Sequence, residues 1–164
     1  MEFIWSPWRY DYIASSGTRD VPSTCVFCIG EDRTQDAQRL ILYRGNLNFI
    51  ILNLFPYTSG HLMVAPYAHL SSVVNAPSEQ TSEMMELAKR AISALTRVYR
   101  AEGFNVGMNL GHVAGAGVRD HFHLHVVPRW AGDSNFMTTT GETRVLPEDL
   151  STTYSRLSGE IGRE

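Results

Sequence analysis

Two hydrophobic periods organise the chain. From Ser78 to Ala101, apolar side chains return every three to four residues, at Met84, Ala88, Ala91, Ile92, Leu95 and Val98, which predicts a helix over 78–101 with one buried stripe. Ser78 stands where a capping side chain is expected, Glu79 where negative charge suits the first turn, and Gly103 where the helix is expected to stop. The stripe is read as core packing. Elsewhere the period is two. Phe104, Val106 and Met108 alternate with Asn105, Gly107 and Asn109, predicting a strand over 104–110. Leu40 to Tyr43 and Phe49 to Leu52 flank Gly45-Asn46, which reads as strand, turn, strand. A loop over 53–59, broken by Pro56 and Ser59-Gly60, leads to a strand from His61 to Ala65 stopped by Pro66. Leu150, Tyr154, Leu157 and Ile161 predict a C-terminal helix over about 147–161, with Pro147 near its start. The order is strands, helix, strands, helix with hairpin-length connections. It predicts an α+β fold with a mainly antiparallel sheet.

One strand breaks the usual chemistry of such patterns. His121, His123 and His125 alternate with Phe122, Leu124 and Val126, so a strand over 121–127 places three imidazoles on one face and apolar side chains on the other. All six histidines lie between His61 and His125, which points to one site assembled from several segments. A neutral imidazole can attack phosphorus, provided its other nitrogen is held by a partner such as a backbone carbonyl. Neighbouring donors must then stabilise charge on the phosphoryl oxygens. The loop Gly111 to Gly117, just before this strand, can offer backbone N–H groups to phosphate.

Composition narrows the classes. At 164 residues with 43% hydrophobic and 19% charged, the chain is expected to form a single domain over 1–164 with a real core. An aromatic arm over about 1–20, carrying Trp5 and Trp8, is expected to pack on the body or on a second subunit. A net charge of −3 argues against a general nucleic-acid footprint. No apolar run approaches the roughly 18–20 residues that span a bilayer, and the N-terminus lacks a signal-like segment, so no membrane partner and a cytoplasmic location are expected. In that reducing compartment, Cys25 and Cys28 in one C-x-x-C favour a metal or a redox pair over a structural disulfide.

The string from His121 to Val127 resembles the signature of the histidine triad (HIT) family, three histidines alternating with apolar residues. The segment Asn53 to Pro66, with Pro56, Gly60 and His61 in place, resembles the family's upstream motif. Trp5-x-Pro7-Trp8-Arg9 and Trp130 resemble the bacterial branch near diadenosine tetraphosphate phosphorylase. The resemblance implies a HIT-like fold and cleavage of dinucleoside polyphosphates at the α-phosphorus through a covalent His-AMP intermediate. It makes His123 the nucleophile, places His125 at the α-phosphate and His61 beside the nucleotide pocket. Asn53 matches a ribose-binding position, and Asn109, Gly115, Gly117 and Trp130 complete the expected substrate contacts. Cys25, Cys28, His69 and His121 match a structural zinc site in zinc-containing relatives. A homodimer or higher homo-oligomer is expected by the same analogy. The loop 114–118 lacks the Gln that the fragile-histidine-triad hydrolases carry, which leaves water or phosphate open as second acceptor. The alternatives are an asymmetric hydrolase, a nucleoside phosphoramidase, or a nucleotide-binding module with weak catalysis.

Overall fold

The computed structural model describes residues 25–133 and 148–163. The aromatic arm and Pro147 lie outside the described residues. Among the described residues five strands form one sheet: β1 Ile41–Arg44, β2 Asn48–Leu52, β3 Leu62–Pro66, β4 Gly103–Gly107 and β5 Leu124–Arg129. The spatial order is β1-β2-β3-β5-β4, and every neighbouring pair is antiparallel. Helix α1, Ser78–Tyr99, crosses one face, and α2, Leu150–Ser158, packs beside it against β1.

Period two sorts the side chains onto the two faces. Leu42, Ile50, Leu52, Leu62, Val64, Phe122, Leu124 and Val126 meet Met84, Leu87, Ala88, Ala91, Ala94 and Leu95 of α1 in the main core. Ile92 and Val98, expected in the same stripe, flank this core and are partly buried. Leu157 and Ile161 close it from the C-terminal end. On the opposite face Ile41, Phe49, Ile51, Met63 and Ala65 form a smaller cluster with Phe27. Glu83 of α1 ties the β1–β2 turn to the helix, its carboxylate accepting from the N–H groups of Asn46 and Leu47 and from the Asn48 amide.

Several boundaries differ from the sequence expectation. Pro77, not Ser78, is the residue before α1, and it makes no side-chain cap bond. The helix ends at Tyr99 because Arg100 takes the left-handed conformation, φ 51°, and its N–H returns to the Thr96 carbonyl. Gly103 therefore opens β4 instead of closing the helix. Helix α2 starts at Leu150, where the Asp149 carboxylate caps the Thr152 N–H. Strand β5 starts at Leu124, not at residue 121, because the Phe122 N–H donates to the Leu70 carbonyl outside the sheet and pairing with β3 begins at Leu124 opposite Val64. Pro128 is tolerated inside β5 because β3 pairs only as far as Val126, leaving that side of the strand free of ladder bonds.

The glycine that leads into β3 is constrained by geometry. Gly60 adopts φ +78°, and a Cβ there would stand 2.8 Å from Leu95 Cδ2. A side chain at that position would strain the turn into β3 that precedes His61.

Candidate active site and metal site

The site lies on the face opposite α1, where the sequence alternation delivers its histidines. His123 and His125 line a cavity of about 1150 Å3, together with Phe27, Ile51, Leu52, Asn53, Met63, Asn105, Asn109, Gly115, Gly117 and Arg129. The apolar alternates Phe122, Leu124 and Val126 anchor these residues in the main core. His125 thus sits within β5 and His123 immediately before it, both backed by the core.

Hydrogen bonds fix the protonation pattern of three rings. His123 Nδ1 lies 3.0 Å from the His121 carbonyl, which can only accept, so Nδ1 carries the proton and Nε2 keeps its lone pair. The Tyr57 N–H donates to His61 Nδ1 at 3.1 Å, and the Asn53 amide approaches the same nitrogen at 3.3 Å. His61 therefore bears its proton on Nε2 and donates to His125 Nδ1 at 2.9 Å. That acceptance leaves the His125 proton on Nε2, as a donor. The relay is thus Tyr57 N–H to His61 to His125. Its end offers an N–H beside the His123 ring, whose centroid is 4.8 Å from that of His125.

Electrostatics keep these rings neutral. Burial, then His125 and His123, push His61 down to about 3. Burial, then His123, push His125 down to about 4. Burial likewise lowers His123, against the opposing pull of the His121 carbonyl. A neutral ring with a free Nε2 beside a ring with Nε2–H is a nucleophile beside a hydrogen-bond donor, the pairing that displacement at phosphorus requires.

A second cluster adjoins the first. Donor atoms of Cys25, Cys28, His69 and His121 all lie within 4.8 Å of one another. His121 Nε2 donates to the Pro66 carbonyl at 2.8 Å, so its Nδ1 turns a lone pair toward the cysteines, 3.4 Å from Cys25 Sγ and 3.9 Å from Cys28 Sγ. His69 Nδ1 is 3.3 Å from Cys28 Sγ. Tetrahedral zinc with two sulfur and two nitrogen ligands places its ligands about 3.3–3.8 Å apart, so this donor set fits a metal with little movement. The carbonyl on His121 Nε2 is the outer partner that fixes a metal-bound imidazole.

Most site residues expected from the sequence converge. His123, His125, Asn53, Asn109, Gly115 and Gly117 all line the cavity. His61 is fully buried behind His125 and reaches the cavity only through it. Trp130 is not among the cavity-lining residues; its indole N–H donates to the Tyr99 carbonyl at 3.1 Å at the far end of β5. Three contributors were not singled out from the sequence. Phe27, between the two cysteines, packs on the rings of His121 and His123 at centroid distances of 5.4 and 4.8 Å. The Tyr57 N–H is a backbone group and leaves no trace in residue type. Arg129 lies on the face of His125, and extending the alternation past Val127 would have found it.

Comparison with known proteins agrees with this geometry. The family model of the HIT domain matches residues 34–132. The chain is 36% identical over 168 residues to the AP-4-A phosphorylase of Mycobacterium tuberculosis, covering 100% of this chain and 86% of that protein. The crystal structure of a Zn-bound histidine triad family protein from Mycobacterium smegmatis superposes with a TM-score of 0.66 at 28% identity, covering 84% of this chain and 93% of that one. Diadenosine triphosphate hydrolase from Plasmodium falciparum shares the fold at a TM-score of 0.62 and 16% identity, over 76% of this chain and 77% of that one. With three alternating histidines leading into β5 and the domain matched over most of its described length, the chain belongs to the HIT family, the histidine triad proteins.

Proposed function

We propose that the protein is a nucleotidyltransferase that cleaves dinucleoside polyphosphates, diadenosine tetraphosphate foremost, at an α-phosphorus and passes the adenylyl group to inorganic phosphate. The observation that carries the reading is the tautomer of His123, held by the His121 carbonyl at 3.0 Å with Nε2 unprotonated. Nε2 attacks the α-phosphorus. The P–N bond forms as the P–O bond to the departing nucleoside triphosphate breaks, and that oxygen leaves with the electron pair. His125 Nε2–H donates to the α-phosphate oxygens and steadies the charge that builds there. An oxygen of inorganic phosphate then attacks the adenylyl phosphorus, the P–N electron pair returns to Nε2, and ADP departs.

The remaining roles follow from position. Asn53, at the apolar side of the cavity, takes the ribose, while Asn109 and the backbone of Gly115 and Gly117 face the phosphates. His61 keeps His125 in its donor tautomer. Phosphate rather than water as second acceptor is supported by the full-length similarity to the M. tuberculosis phosphorylase. The metal is read as zinc, held by Cys25, Cys28, His69 and His121. When bound it supplies structure, fixing the 25–28 turn and its Phe27 against the histidine strand. A homodimer belongs to the same reading. It is supported by β4, an edge strand among the described residues with Val106 43% exposed, which suits pairing with a second copy.

Product analysis tests the reaction. Purified protein is incubated with diadenosine tetraphosphate, with and without inorganic phosphate, and the nucleotides are resolved. ADP and ATP, formed only with phosphate, are expected. AMP and ATP without phosphate would make the protein an asymmetric hydrolase. No reaction, with turnover of an adenosine phosphoramidate, would make it a phosphoramidase.

A further inference from the structure

The cavity floor is divided in two, and the division has a consequence for the second half of the substrate. On the β3–β2 side the floor is apolar: Met63 pairs with His125 in register, and Ile51 pairs with Met63. On the β4 side it is polar and open. Gly107 lies opposite His125, and Asn105 lies opposite Val127. Along β5 the side chains of His125, Val127 and Arg129 share this face, since they are two residues apart. A nucleoside seated on the apolar side, beside Asn53, leaves the β4 side to whatever follows the α-phosphate.

Arg129 is built for a fixed position there. Its Nε and NH2 donate to the two carboxylate oxygens of Asp133, and its NH1 donates to Asn105 Oδ1 at 2.7 Å. These bonds take three of its five N–H groups and hold the guanidinium plane still. Its side chain remains 37% exposed and lines the cavity. Arg39, the other arginine among the cavity-lining residues, belongs to the turn before β1, on the apolar side.

We propose that Arg129 is the specificity-determining cation for chain length: it binds the phosphates beyond the scissile bond, those that leave with the second nucleoside. The proposal rests on the nucleotidyltransferase reading above. Arg129 stands four residues along β5 from His125, about 13 Å of strand, a span that a polyphosphate chain and the arginine's own reach close between them. A guanidinium oriented by a carboxylate presents its outer N–H groups to phosphate oxygens in a fixed fork. A nucleoside monophosphate has nothing to offer it.

The experiment compares two ligands on wild type, Arg129→Gln and Arg129→Lys: kcat/KM for diadenosine tetraphosphate, and the dissociation constant for AMP. Loss of a charge-assisted contact is expected to lower kcat/KM for the tetraphosphate by about tenfold or more in the Gln variant. AMP affinity is expected to stay within about twofold, and Lys is expected to recover part of the loss. If the arginine only ties the end of β5 to the following turn, both ligands will weaken together, and that result overturns the proposal. An unchanged kcat/KM also overturns it. Wild-type protein that binds AMP but never cleaves the tetraphosphate overturns the parent reading, and this proposal with it.

Discussion

Replacing His61 by Gln should make the protein less sensitive to mild acid, by about 2 kcal/mol between pH 7 and pH 5. His61 is fully buried, and burial foremost, then its neighbours His125 and His123, bring it from an ordinary 6.5 down to about 3. Above 6.5 the ring is neutral in both folded and unfolded chains, and its contribution to stability is fully present. As the pH falls below 6.5 the unfolded chain takes up a proton that the native site refuses, so stability is lost progressively between 6.5 and about 3. Each pH unit in that window costs about 1.4 kcal/mol, and pH 5 lies about 1.5 units inside it, which gives roughly 2 kcal/mol for this ring. The Gln variant has no such proton to bind. His125 stays low in the variant, because its own shift comes from burial and His123. The assay is urea denaturation of both proteins at pH 7 and pH 5, with identical metal loading, so that every other titration cancels in the difference. Equal losses in the two proteins, within about 0.5 kcal/mol, would refute the claim that His61 is held neutral by its burial.

Three further outcomes follow from the same contacts. His123→Ala is expected to lower kcat by several orders of magnitude, up to about a millionfold by analogy with other nucleophile deletions, with the circular dichroism spectrum unchanged. Protein purified without added metal is expected to carry one zinc per chain by elemental analysis. Its removal by chelator should lower Tm by roughly 10 °C, taking a site filled about a thousandfold above its dissociation constant. Gly60→Ala should cost at least about 2 kcal/mol in chemical denaturation, since it adds a left-handed penalty to a Cβ placed 2.8 Å from Leu95.

The legible part of the sequence was the part written in periods. Alternation from His121 to Val126 put Phe122, Leu124 and Val126 in the core and His123 and His125 toward the cavity, which is how they sit, while His121 turns to the Cys25, Cys28 and His69 cluster. The inward placement of Phe122 survives even though β5 begins only at Leu124. The helix stripe was equally plain, but its end was not. Arg100 takes the left-handed cap, a conformation that residue type rarely announces outside glycine. Contacts that depend on backbone groups were invisible: the His121 carbonyl under His123, the Pro66 carbonyl under His121 and the Tyr57 N–H behind His61. They arise only when separate segments meet, and they set the tautomers on which the chemistry depends. The relation between the two sites was equally hidden. His121 offers its ring to Cys25, Cys28 and His69 and its carbonyl to His123, while Phe27 touches both rings.

Capture of the covalent intermediate tests the central claim most directly. Protein mixed with diadenosine tetraphosphate in the absence of inorganic phosphate is quenched in denaturant at alkaline pH, where a phosphoramidate survives, and its intact mass is measured. The account predicts a gain of one adenylyl group, mapped by peptide sequencing to His123, lost on mild acid treatment and absent from His123→Ala. An adenylyl group on another residue, or rapid turnover by His123→Ala, would contradict it.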